Sequence, residues 1–212
     1  GRGRAGVDPA GGQSYRAAAL SLVFHPRHPR VPTLRADVRA FGVDGGGAWW
    51  GGGADLTPAY LNEDDAVEFH AFWKALCARR APGLYAACKA ACDDYFYLPA
   101  RKEHRGVGGI FFDDLAADGG GLDGFGGAAF DAAEFVREVA AGILPSWAPI
   151  AARRRSMPLL EAERRWQLER RGRYVEFNLL HDRGVRFGLD GGRIESVMVS
   201  APPLVAWRYD PG

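Results

Sequence analysis

Between Thr33 and Val43 the chain reads TLRADVRAFGV, and this stretch limits the fold more than any other. Read as a β-strand, it sends successive side chains to opposite faces, so Arg35, Asp37 and Arg39 emerge together on one side. Leu34, Ala36, Val38 and Ala40 then face the other way and suit packing under helices. The charged side has two readings. It can be the solvated face of a half-exposed sheet. It can also be a binding face, because two guanidiniums flanking a carboxylate on a rigid strand suit a polyanionic ligand, which arginine grips through paired hydrogen bonds.

The flanking sequence supplies partners for that strand. Residues 17–24 read as another strand, joined to it by the proline-fixed connection HPRHPRVP. Gly45–Gly47 turn the chain into a third strand around residues 48–50. Asn62 then caps a helix whose Ala66, Phe69, Trp73, Leu76 and Cys77 share one face. A second helix is expected over about residues 83–97 and a buried strand over 107–115, where the apolar run stops at Asp113 and Asp114. Residues 116–128 form a glycine-rich loop. Helices follow at about 130–144, 145–154 and 159–170. The end of the chain, RYVEFNLLHDRGVRFGLDGGRIESVMVSAPPLVAWRYD, reads as a three-stranded meander of YVEFNLL, VRFGL and IESVMVS. Hairpin-linked strands with helices grouped between them give an α+β fold, an antiparallel sheet covered by helices.

The chain has 212 residues, and one domain over residues 15–212 behind a disordered lead at 1–14 is the expectation. A net charge of +1 gives no global attraction to nucleic acid or to an anionic membrane. The longest nearly apolar run, residues 139–152, is too short to span a bilayer and carries Pro145 and Pro149. Cys77, Cys88 and Cys92 lack a disulfide pattern and fit a reducing compartment; core packing explains them better than metal binding. GGGLDG at residues 119–124 formally fits a nucleotide-binding motif but lacks the strand and helix around it. The arginines at 153–155, 164, 165, 170 and 171 are interleaved with Glu161, Glu163 and Glu169, as on a solvated helix face rather than an RNA-binding one.

Four blocks carry a resemblance: HPRHPRVPT with VRAF behind it, WWGGGADLTP followed by YLNEDDAVEFH, CDDYFYLPARKEHRGVGGIFFDDL, and the terminal meander. Together they resemble the oxygen-dependent coproporphyrinogen III oxidase family from about Ser21 to the end of the chain. The resemblance implies a large antiparallel sheet sandwiched between helical layers. It also implies a homodimer through about residues 174–209. The reaction implied is oxidative decarboxylation of two propionates of coproporphyrinogen III to vinyl groups. Protoporphyrinogen IX is the product, O2 the oxidant, and no cofactor or required metal is expected. The family's members usually have a further helix at each end, so the chain is expected to be a fragment incomplete at both. The compartment expected is the cytoplasm, or a plastid or mitochondrion if a transit peptide precedes it.

Residue by residue, the resemblance places Asp55 against the pyrrole nitrogens, where an ionised carboxylate is a pure acceptor for converging N–H donors. Ser21, His25, Asp37, Val38, Arg39, Gly191, Gly192 and Arg193 match substrate-binding positions, with Arg39 and Arg193 as carboxylate anchors. Gly191 and Gly192 are expected to make a hairpin turn that leads Arg193 into the last strand. His70 matches a further position, although a buried, hydrogen-bonded histidine on that helix explains it equally well. The chain departs from the family at Arg35 and Asp37, which replace a His and an Asn. That His is the proton donor, a role arginine does not fill near neutral pH. Ala100 replaces another His, and a Phe before Gly51 is missing. These departures keep open a second reading, a homologue that binds a tetrapyrrole without transforming it.

Overall fold

The computed structural model describes residues 12, 14–122, 125 and 129–208. Four strands form one antiparallel sheet: β1 (Tyr15–Phe24), β2 (Thr33–Val43), β3 (Gly47–Thr57) and β6 (Gly108–Ala116), in the order β1-β2-β3-β6. A small second sheet pairs β4 (Tyr97–Leu98) with β5 (Glu103–His104). The helices are α1 (Glu63–Ala78), α2 (Leu84–Tyr95), α3 (Ala132–Arg154), α4 (Glu161–Leu180), α5 (Arg183–Leu189) and α6 (Ile194–Met198).

The division of β2 into two faces decides the layering. Leu34 and Ala36, Ala54 and Leu56 of β3, and Ile110 and Phe112 of β6 are buried together against Phe69, Trp73 and Leu76 of α1 and Phe135, Val139 and Ile143 of α3. Cys77 and Cys88 belong to this core, as the composition suggests. Asn62 caps α1 by accepting from the Asp65 amide. On the opposite face Phe111 of β6 meets Phe96, Leu98 and Phe177, so α4 covers that side of the sheet. The expected α+β sandwich is therefore present.

The ends of the expected elements moved, and one region changed type. Residues 145–154 are not a separate helix: α3 runs through Pro145 and Pro149. Both prolines sit on its exposed side, where carbonyls that lose an intrahelical partner can turn to water. Gly51–Gly53 are strand rather than turn. A Cβ on Gly51 would lie 2.5 Å from Nε of Arg39, so that position stays bare to let the guanidinium lie across the sheet.

The largest correction concerns the end of the chain. YVEFNLL, VRFGL and IESVMVS are helical, as the last part of α4 and as α5 and α6. The buried residues of α4 include Gln167, Arg171, Tyr174, Val175 and Asn178, spaced by the 3.6-residue period rather than by two. Asp182 caps α5 by accepting from the Val185 amide. Gly191, at φ 111°, separates α5 from α6, and Arg193 is the N-cap of α6 instead of the start of a strand. Tyr209, Gly124 and most of the expected lead lie outside the described residues.

Candidate functional site

The polar face of the sheet carries an ion-paired row. On β2, Arg35 Nη1 lies 2.6 Å from Asp37 Oδ1. Asp37 also accepts from Arg39 Nη1, whose other terminal nitrogen donates to Asp113 Oδ1 at 3.0 Å. Burial works against the charge on Arg35, yet the carboxylates of Asp37 and Asp55 more than offset it and raise its pKa above the usual arginine value. Arg39 follows the same pattern, with Asp37 and Asp113 as its counter-charges. The guanidinium at position 35 thus stays protonated, and Asp37 has two cations to neutralise it.

One register position away, β3 places Asp55 opposite Arg35. Its carboxylate is 3% exposed and takes a 2.6 Å hydrogen bond from Arg105 Nη2, itself 1% exposed. The Arg105 guanidinium lies 4.0, 4.5 and 4.7 Å from the rings of Phe96, Tyr174 and Phe177. Asn178 accepts from its Nη1 at 3.4 Å. The second carboxylate oxygen of Asp55 and Nε of Arg105 are buried without a hydrogen-bond partner.

Beside this pair opens a cleft of about 650 Å³. Ser21, Val23 and Arg35 form its sheet wall; Tyr174 and Asn178 of α4 stand at its inner end with Arg105. Gly188, Gly192, Arg193 and Val197 of the α5–α6 region form the outer wall. The structure thus brings together Ser21, Arg35, Gly192 and Arg193. No described residue forms an ion pair with Arg193, and its side chain is exposed. The cleft falls within the size range of small-molecule sites.

Other candidates lie elsewhere. Asp55 is behind Arg105 rather than on the cleft wall. Arg39 shares the face of Arg35 but sits four residues along the strand, roughly 13 Å away, and is one-third exposed. Val38 points to the other face and packs against the main core. His25 donates Nε2–H to the Ser200 carbonyl at 2.9 Å and meets Tyr174 edge to face. Burial is the main influence lowering its pKa. His70 is satisfied at both nitrogens: Nε2–H donates to the Val107 carbonyl at 3.0 Å, and the Tyr85 hydroxyl donates to Nδ1 at 2.9 Å. Burial pushes the Tyr85 phenol up to about 12, so it remains a donor. Gly191 is exposed at the α5–α6 turn.

Among the described residues, no group of three His, Cys, Asp or Glu side chains is placed to hold a metal ion. No helix among them is long and apolar enough to cross a membrane. The arginines of the basic region are largely engaged within the protein: Arg153 and Arg154 bind Asp65, Arg170 binds Glu103, and Arg171 donates to the Pro26 carbonyl. Sequence reasoning missed Arg105, Tyr174 and Asn178 as parts of this site. The one local signal for Arg105 was a lone charge entering the apolar run GVGGIFF. The sequence model of the coproporphyrinogen III oxidase family matches residues 4–211.

Proposed function

The chain belongs to the coproporphyrinogen III oxidase family and has a role in porphyrin biosynthesis; on that premise we propose that it uses O2 to convert coproporphyrinogen III to protoporphyrinogen IX. Each of two propionates loses its carboxylate as CO2 and gives up two electrons and a hydrogen from the adjoining chain, leaving a vinyl group. O2 receives those electrons. The pyrrole rings are electron-rich enough to meet O2 directly, so the protein's task is to hold the macrocycle and polarise a pyrrole N–H. The observation that carries this reading is the cleft, where Ser21, Arg35, Gly192 and Arg193 converge around space for a large ligand. In it Arg193 anchors a propionate at the mouth. Arg39 serves a second carboxylate, and Asp55 orients the pyrroles from behind. The working unit is a homodimer built on the carboxyl-terminal segments. Incubating the purified chain with coproporphyrinogen III in air and under nitrogen, then oxidising and separating the porphyrins, tests the proposal. Protoporphyrin formed only in air is the expected result; none in either atmosphere refutes it.

One observation favours the second reading, binding without turnover. Arg35 occupies the position of the family's proton donor as a permanently charged, ion-paired guanidinium. Tight binding of coproporphyrin III with no conversion of the porphyrinogen would establish that reading instead.

A further inference from the structure

The residue resemblance puts Asp55 at the inner end of the site, but the geometry sets Arg105 in front of it. Arg105 lines the cleft, whereas Asp55 does not. A buried ion pair is a weak way to stabilise a fold, since an apolar pair of similar volume does as well or better. Nothing about the surrounding core demands a cation: three aromatic rings already fill the space. Those rings hold the guanidinium by its faces and leave only its edges for hydrogen bonds. Asp55 takes one edge at 2.6 Å. Asn178 takes another nitrogen at the long distance of 3.4 Å, and Nε has no partner. A buried cation with donor capacity unfilled, on the wall of an open cleft, is a site for an anionic oxygen.

We propose that Arg105 is a further substrate-binding residue, which meets a carboxylate of the ligand at the inner end of the cleft, and that Asp55 acts through it as a positioning residue. Three guanidiniums, of Arg35, Arg105 and Arg193, then face the ligand from different elements. Arg193 is exposed and adaptable, while Arg105 is fixed on its faces by rings and on one edge by Asp55. The inner position therefore selects the ligand's orientation, and the outer one captures it. This rests on the reading of the cleft as a tetrapyrrole site.

The test uses fluorescence titration of the full chain with coproporphyrin III and with its methyl ester, which keeps the pyrrole N–H groups and lacks the carboxylates. Arg105→Met strands a buried carboxylate, so it is made together with Asp55→Asn, a neutral pair of similar volume. The double variant should bind coproporphyrin III at least about tenfold more weakly, the scale of one lost charged hydrogen bond, with ester binding unchanged. Asp55→Asn alone should weaken the acid less than the double variant does. Equal weakening of acid and ester by Asp55→Asn would show that Asp55 itself faces the pyrroles and would overturn the assignment. So would a double variant that binds the acid normally. If the unaltered chain binds neither porphyrin, the tetrapyrrole reading fails first and this inference fails with it. Arg105→Lys, which keeps the charge and loses the fork, should fall between the extremes for the acid alone.

Discussion

Replacing Arg35 with histidine is the sharpest test of what this cleft can do. Arg35 lies 2.6 Å from Asp37 with its side chain 17% exposed, and it lines the cleft from the sheet side. Removing the guanidinium takes away one charge-assisted hydrogen bond, about 1.5–3 kcal/mol. That figure is an upper bound on the loss of stability, because Arg39 continues to neutralise Asp37 and an imidazole recovers part of the volume. The fold should survive, with a urea midpoint lowered but a transition still cooperative. What the substitution adds is a group able to give and take a proton near neutral pH. A positioned general acid or base is worth about 10²–10⁴ in rate, or roughly 3–5 kcal/mol of barrier at 1.36 kcal/mol per tenfold. Arg35→His should therefore raise turnover of coproporphyrinogen III in air by that factor, with coproporphyrin III affinity changed by less than about threefold. Full turnover in the unaltered chain would refute the argument. A folded, ligand-binding variant with no gain in rate would refute it equally.

Arg193→Ala should weaken coproporphyrin III binding by about tenfold, since an exposed anchor contributes toward the low end of a charged hydrogen bond; fluorescence titration showing unchanged affinity would remove Arg193 from the site. Stability should fall as pH drops below about 6.5, the unfolded-state value for histidine. His25 and His70 have lowered pKa values in the fold, mainly through burial, so the unfolded chain takes up protons first and stability is lost until the pH falls below the folded values. Urea midpoints measured between pH 7 and 5 should flatten in a His25→Gln, His70→Gln double variant; an unchanged slope would count against the burial argument. Sedimentation at tens of micromolar should give a dimer or larger species, because Phe187 and Val199 are 84% and 78% exposed near the carboxyl end. A stable monomer would rule that association out. Trp73→Ala, at a side chain with no exposure between α1 and the sheet, should cost about 3–5 kcal/mol in urea unfolding.

The first half of the fold was legible because its signals are local. The alternation of β2 gave both faces of the sheet, Asn62 gave the start of α1, and Phe69, Trp73 and Leu76 gave its buried side. The carboxyl-terminal third was misread for an identifiable reason. In YVEFNLL, alternation and helical spacing both collect apolar residues, and only the preceding RRWQLERRGR run, continuous with it in α4, tips the balance. Pro145 and Pro149 suggested a break because proline costs a helix hydrogen bonds, but the buried side of α3 continues through both. Arg105 could not be found from its neighbours: its counter-ion is 50 residues earlier, and Asn178 is 73 residues later. A charge becomes a site residue here only when α4 folds back onto the sheet.

The ion-paired row on the sheet does not stop at Arg39. Asp113 is also 3.5 Å from Arg183, the first residue of α5, whose helix helps to wall the cleft. Read from end to end, the charges alternate as Arg35, Asp37, Arg39, Asp113 and Arg183. Such a series begins and ends with a cation and so carries one positive charge in excess. Each internal anion is shared by two neighbours, which leaves the excess belonging to no single residue. A visitor that brings one negative charge to the Arg35 end evens the sequence, and its arrival is registered at the far end by α5. The two sides of the cleft are parts of a single circuit, and a ligand closes it.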